Sequence, residues 1–163
     1  MAKKTEPALV KNGTTLFLRI VVLTLAAIVL GLCVFALPAG MVSDDVGLYR
    51  WILLGLYVPA IPFFGAIFQT MKLLRYIDNN TAFSDDSVKA LNAIKYCGII
   101  IAGLFSVGMP YIYYVADKDD APGVVAIGLV IIGASIAVSV FAAVLERLLQ
   151  NAIAIKREND LTV

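Results

Sequence analysis

Few residues in this chain could carry chemistry. Cys33 and Cys97 supply the only thiols, and histidine is absent. A thiol–disulfide relay needs two sulfurs within a few ångströms, so that one thiolate can attack the other's disulfide. On helical elements Cys33 falls near the outer end of a first apolar block and Cys97 near the inner end of a third. That separates them by roughly 20 Å along the membrane normal, and they read as two buried apolar thiols. The lack of histidine removes the commonest general base and metal ligand. Asp44, Asp45, Asp117, Asp119 and Asp120 gather in the outer loops. Carboxylates of this kind suit hard cations, but their spacing matches no calcium loop, and they read as solubilising loop ends. Neither a nucleophile–base pair nor a metal cluster can be assembled, so the expectation is a non-enzymic chain with no cofactor.

Coupled transport would call for an acid inside the membrane. The stretches 20–37, 51–71, 96–114 and 124–145 contain no Asp, Glu, Lys or Arg. Glu146 comes nearest, at the cytoplasmic edge beside Arg147, and reads as half of a solvated interfacial pair. Pro59 and Pro62 are the other candidates for a path. Each withholds a backbone N–H and kinks its helix, which makes either a static bend or a hinge that opens a cavity.

The elements that must position these residues follow from composition. Of 163 residues 61% are hydrophobic and 15% charged, against about 45–50% and about 25% in an ordinary soluble domain. Four apolar blocks at 16–37, 51–71, 96–114 and 124–145 each reach across a hydrocarbon core about 30 Å thick as a helix. Helices are required because lipid offers no partner for an unpaired backbone group. The chain therefore reads as one all-α integral membrane domain, a four-helix transmembrane bundle. The first block is too long for a secretory signal, and three further spans follow it.

Of the 13 lysines and arginines, all but Arg50 and Lys118 fall on one side of this arrangement. The positive-inside pattern predicts that both termini and the middle loop 72–95 lie in the cytoplasm, with the chain in a bacterial inner membrane. A net charge of +1 offers no field for nucleic acid, and no direct binding to it is expected.

Two elements should protrude into the cytoplasm. Ser84 can cap a helix whose first turn carries Asp85 and Asp86, favourably placed at the positive end of the dipole. Val88, Leu91 and Ile94 continue at helical spacing into the third span. The fourth span runs on as a tail helix, 146–158, with Leu145, Leu148, Leu149 and Ala152 on one stripe. Phe83, Val88, Leu91, Leu148, Ile153 and Ile155 are thus apolar residues offered among charges outside the bilayer. They either pack on one another or receive a protein partner or lipid headgroups. Small residues four apart, Gly98/Ala102 in the third span and Gly133/Ala137 and Ser135/Ser139 in the fourth, allow close helix approach, within the bundle or between copies of a homo-oligomer.

The run Phe83-Ser84-Asp85-Asp86-Ser87-Val88-Lys89-Ala90-Leu91 and the ending from Leu149-Gln150-Asn151-Ala152 to Glu158-Asn159-Asp160-Leu161-Thr162-Val163 resemble the YoaS-like family of small bacterial membrane proteins. Ser87 departs from the asparagine expected in the loop motif. The resemblance implies four spans and an unknown function. It also implies a regulatory partnership, since members are often encoded beside a small helix-turn-helix regulator of the Cro/CI type. Asp160, Leu161, Thr162 and Val163 meet no structural demand visible in the sequence, so their match to the family ending points toward recognition. The expected role is an interaction or regulatory module that docks such a regulator at its cytoplasmic face. The competing expectation is a small oligomeric transporter or channel with the Pro59/Pro62 kink lining its path.

Overall fold

The computed structural model describes residues 6–36, 38–39, 47 and 49–161, with side chains for 15–35, 38–39, 47 and 50–159. Within them the chain is all-helical. Helix α1 (Glu6–Gly31) runs into a wider π-helical turn, Leu32–Ala36. Then come α2 (Tyr49–Asp78), α3 (Asp85–Lys118) and α4 (Pro122–Leu161). All four are long and apolar enough to cross a membrane. Helices α2, α3 and α4 outrun the apolar blocks they contain. At about 1.5 Å per residue, the 34 residues of α3 span about 51 Å and the 40 of α4 about 60 Å, well beyond a hydrocarbon core.

The ends of these helices have local causes. Ser84, with extended backbone, accepts a hydrogen bond from the Ser87 amide, and Asp85 and Asp86 occupy the first turn of α3. Helix α2 stops where Asn80 takes a left-handed φ of 58°, with Thr81 N–H donating to the Tyr76 carbonyl and Asn80 N–H to that of Ile77. Helix α3 closes in a similar way: Asp120 has φ 49° and Ala121 N–H donates to the Ala116 carbonyl. In each cap a short polar side chain stands where glycine is commonest. The resulting connections are tight, so α2, α3 and α4 alternate in direction.

Packing follows chain order. The α3–α4 pairing is the most extensive, α2–α3 comes next, and α1 rests chiefly on α2. Six of the eight buried residues of α3 (Ser87, Ala90, Leu91, Ile94, Gly98 and Ala102) follow the helical repeat, making one stripe from the helix start to mid-membrane. Its counterpart on α4 includes Ser139, Ala142 and Ile153. Gly98 brings the two backbones together: a Cβ there would collide with the Ser139 hydroxyl and stand 2.9 Å from the Ser135 carbonyl. The small residues Gly98, Ser135 and Ser139 therefore serve packing within the chain. Gly133 has open space around it, and Ala137 is exposed on the outer face of α4.

Four hydroxyls inside the apolar layer bond to their own helices, as lipid favours. Thr24 donates to the Ile20 carbonyl, Thr70 to Ala66, Ser135 to Ile131 and Ser139 to Ser135. Another hydroxyl crosses between helices. Tyr57 Oη donates at 2.9 Å to the Cys33 carbonyl in the π-helical turn, where the altered backbone pairing turns a carbonyl toward its neighbour.

Candidate functional site

Among the described residues three ion pairs, Arg19–Asp78, Lys95–Glu146 and Arg157–Asp85, tie different helices together at the end where lysine and arginine gather. Arg19 Nη2 meets Asp78 Oδ2 at 2.6 Å, joining α1 to α2. Lys95 Nζ meets Glu146 Oε2 at 2.7 Å, and Arg157 Nη2 meets Asp85 Oδ2 at 2.8 Å, both joining α3 to α4. The side chains of Lys95 and Glu146 are only 22% and 14% exposed, so this pair is largely shielded from water. Glu146 is thus not the solvated partner of Arg147 that its sequence neighbour implied: the turn of α4 aims it at α3. Arg157 and Asp85 are open to solvent, where an ion pair contributes little.

Beyond this level α3 and α4 continue together as a two-helix tip. The segment 85–95 of α3 extends about 16 Å past the third apolar block, and 146–161 of α4 about 24 Å past the fourth. The tip divides the six apolar residues of the loop and tail. Leu91 and Ile153 are buried, so of the two alternatives these two take packing within the chain and not a place on a partner surface: both lie on the stripe where α3 meets α4. Val88 is half-buried. Phe83, Leu148 and Ile155 stand exposed, Phe83 at 61%. Leu145 and Leu148 point away from α3, and the packed stripe of the tail runs instead through Ala142, Glu146, Leu149 and Ile153. Phe83 borders a cleft of 290 Å³ at the tip, together with Ser84, Asp85, Ile153, Lys156 and Arg157. The side chains of Asp160 and Leu161, and the whole of Thr162 and Val163, lie outside the described residues.

A second region lies within the apolar layer. A cavity of 460 Å³ is lined from all four helices, among them by Cys33, Leu56, Pro59, Phe63, Phe105 and Ile131. A smaller one of 270 Å³ between α2 and α3 shares Leu56, Pro59 and Phe105 with it and adds Trp51 and Tyr111. Both walls are almost wholly apolar. Water needs two to four polar partners to stay in such a space, so these cavities suit hydrocarbon. Pro59 faces both. Pro62 is half-buried in the same helix, which continues through both prolines from Tyr49 to Asp78.

The thiols stay apart in role. Cys33 borders the large cavity, while Cys97 Sγ lies 3.6 Å from where a Cβ on Gly65 would stand, and both are free. Among the described residues no three His, Cys, Asp or Glu side chains converge as a metal ion would require.

Four apolar spans and a protruding α3–α4 tip define a small polytopic α-helical membrane protein. Comparison with known proteins narrows the class. The chain belongs to the YoaS-like family, whose description reads "Protein of unknown function (DUF2975)" and whose pattern matches residues 37–163. It is 47% identical over 156 residues to the uncharacterized membrane protein YoaS of Bacillus subtilis (strain 168), covering 92% of this chain and 98% of that one. No solved structure matches it.

Proposed function

We propose that this protein is a non-enzymic docking module of the bacterial inner membrane, with both termini and the α3–α4 tip in the cytoplasm. Its partner in this reading is a small helix-turn-helix regulator of the Cro/CI type, held at the membrane surface. The observation that carries it is Phe83, an aromatic ring exposed on a braced tip beyond the apolar layer. Aromatic anchors beside arginine dominate protein interfaces, since they bury much area at small entropic cost. Lys156 in the adjoining cleft, where Arg157 is already paired with Asp85, calls for a carboxylate beside the partner's aromatic-binding pocket. The excess of lysine and arginine on this side supports the cytoplasmic placement.

The test is co-expression with the regulator, then purification of this chain from membranes. The regulator co-purifies with the native chain, and Phe83→Asp lowers its recovery at least ten-fold, an order of magnitude typical of losing one anchor. Absence of the regulator, or equal recovery with Phe83→Asp, rejects the reading.

One observation favours a second reading, a small oligomeric transporter or channel: Pro59 lines both intramembrane cavities. Their apolar walls fit a lipid-like solute rather than an ion. A flux of such a solute in proteoliposomes that Pro59→Ala abolishes would favour it.

A further inference from the structure

A third cleft, of 420 Å³, opens between α3 and α4 where both helices leave the apolar layer. Its lining changes character along α4. Val140, Ala143 and Val144 form an apolar floor, and Glu146, Arg147 and Gln150 continue it past the end of the fourth apolar block, with Lys95 facing them from α3. Val140 and Val144 are 56% and 51% exposed, as side chains turned toward lipid are. From Val140 to Gln150 the cleft runs about 15 Å, half the thickness of a hydrocarbon core.

The charges in this cleft do not cancel. Glu146 is engaged with Lys95 at 2.7 Å, while exposed Arg147 has no carboxylate within ion-pair reach among the described residues. One positive charge is left over. Arg147 presents a planar fork of donors that fits two phosphate oxygens at once. Lys95, whose ammonium sits 5.1 Å from the centre of the Tyr96 ring, keeps donors beyond the one bonded to Glu146. Gln150 lies three residues from Arg147, on the same part of the helix surface.

We propose that this cleft binds one anionic phospholipid of the adjoining leaflet. Its phosphate is held by Arg147, with Lys95 and Gln150 beside it, and an acyl chain lies along Val144 and Val140. A cation at headgroup level above an apolar groove matches an amphiphile with a negative head. A soluble phosphate ester leaves the groove unused, and a zwitterionic lipid brings a second cation close to Arg147.

The test is native mass spectrometry of the full chain in a non-ionic detergent, offered equal amounts of phosphatidylglycerol and phosphatidylcholine with the same acyl chains. One phosphatidylglycerol adduct exceeds the phosphatidylcholine adduct by about ten-fold. Arg147→Gln brings the two adducts close to parity, whereas Arg75→Gln, on an exposed cation of α2 outside the cleft, leaves the preference intact. Val144→Trp fills the groove and weakens the phosphatidylglycerol adduct several-fold without changing any charge. Millimolar inorganic phosphate does not displace the lipid. Equal adducts for both lipids in the native chain, an unchanged preference in Arg147→Gln, an undiminished phosphatidylglycerol adduct in Val144→Trp, or displacement by phosphate alone would each overturn the proposal.

Discussion

Lys95 Nζ and Glu146 Oε2 stand 2.7 Å apart although 51 residues separate them in the chain. The pair closes the α3–α4 interface at the level where both helices emerge from the apolar layer. Below it Gly98 and Ser139 bring the backbones into close contact, and above it Leu91 and Ile153 are buried between the same two helices. The tip is therefore a continuation of the membrane hairpin, and anything bound to Phe83 is mechanically joined to the spans.

Removing one member of that pair leaves a shielded charge without its partner. Lys95→Met should cost about 1–3 kcal/mol, the range for stranding a group in a partly buried site. The double variant Lys95→Met/Glu146→Leu should recover much of the loss, because no lone charge remains. Thermal unfolding in detergent reads both, and identical midpoints for the single and double variants would contradict the role given to the pair.

Two glycines should respond oppositely to a larger side chain. Gly98→Leu must push α3 away from Ser139 and the Ser135 carbonyl 2.9 Å from its Cβ position, at about 1–3 kcal/mol for overpacking. Gly133→Leu meets open space and gains helix propensity, so it should leave stability unchanged or slightly raised. Comparing the two melting temperatures checks which face of α4 is packed. Equal losses would mean that a second surface covers Gly133.

Tyr57→Phe deletes an interhelical hydroxyl bond in the apolar layer, to the Cys33 carbonyl. The expected loss is about 1 kcal/mol, since interhelical hydrogen bonds in membranes are modest. The π-helical turn at Leu32–Ala36 should also loosen, which faster alkylation of Cys33 by a lipid-soluble maleimide would report. An unchanged Cys33 rate would detach Tyr57 from that turn.

Features with local causes were legible in the sequence. Ser84 as a cap, two acids in the first turn of α3 and the unbroken run of α4 past Leu145 all rest on neighbours within a few residues. The rotation of each helix was not legible. Inside lipid both the packed face and the exposed face are apolar, so no periodicity separates Val140 from Ala142 on α4 or Gly103 from Gly98 on α3. At the membrane edge Arg147 adjoins Glu146 in the chain, but a helix turns consecutive side chains about 100° apart and delivers Glu146 to Lys95 instead. The six apolar residues of loop and tail were recognisable as a group. Their division, with Leu91 and Ile153 inside and Phe83, Leu148 and Ile155 outside, depends on which stripe α3 and α4 share. The link from Tyr57 to Cys33 had no signal at all, because nothing in Leu32–Ala36 marks a π-helical turn.

Docking of a cytoplasmic partner requires Phe83 to lie on the cytoplasmic side, and this can be measured without knowing the partner. A single cysteine is placed by Phe83→Cys, or by Asp119→Cys at the opposite end, with Cys33 and Cys97 replaced by alanine. Each chain is then exposed to a membrane-impermeant maleimide in intact cells and in inside-out vesicles. Position 83 should be labelled in the vesicles and protected in the cells, with position 119 showing the reverse. Labelling of position 83 from outside intact cells would contradict the cytoplasmic tip and the docking role with it.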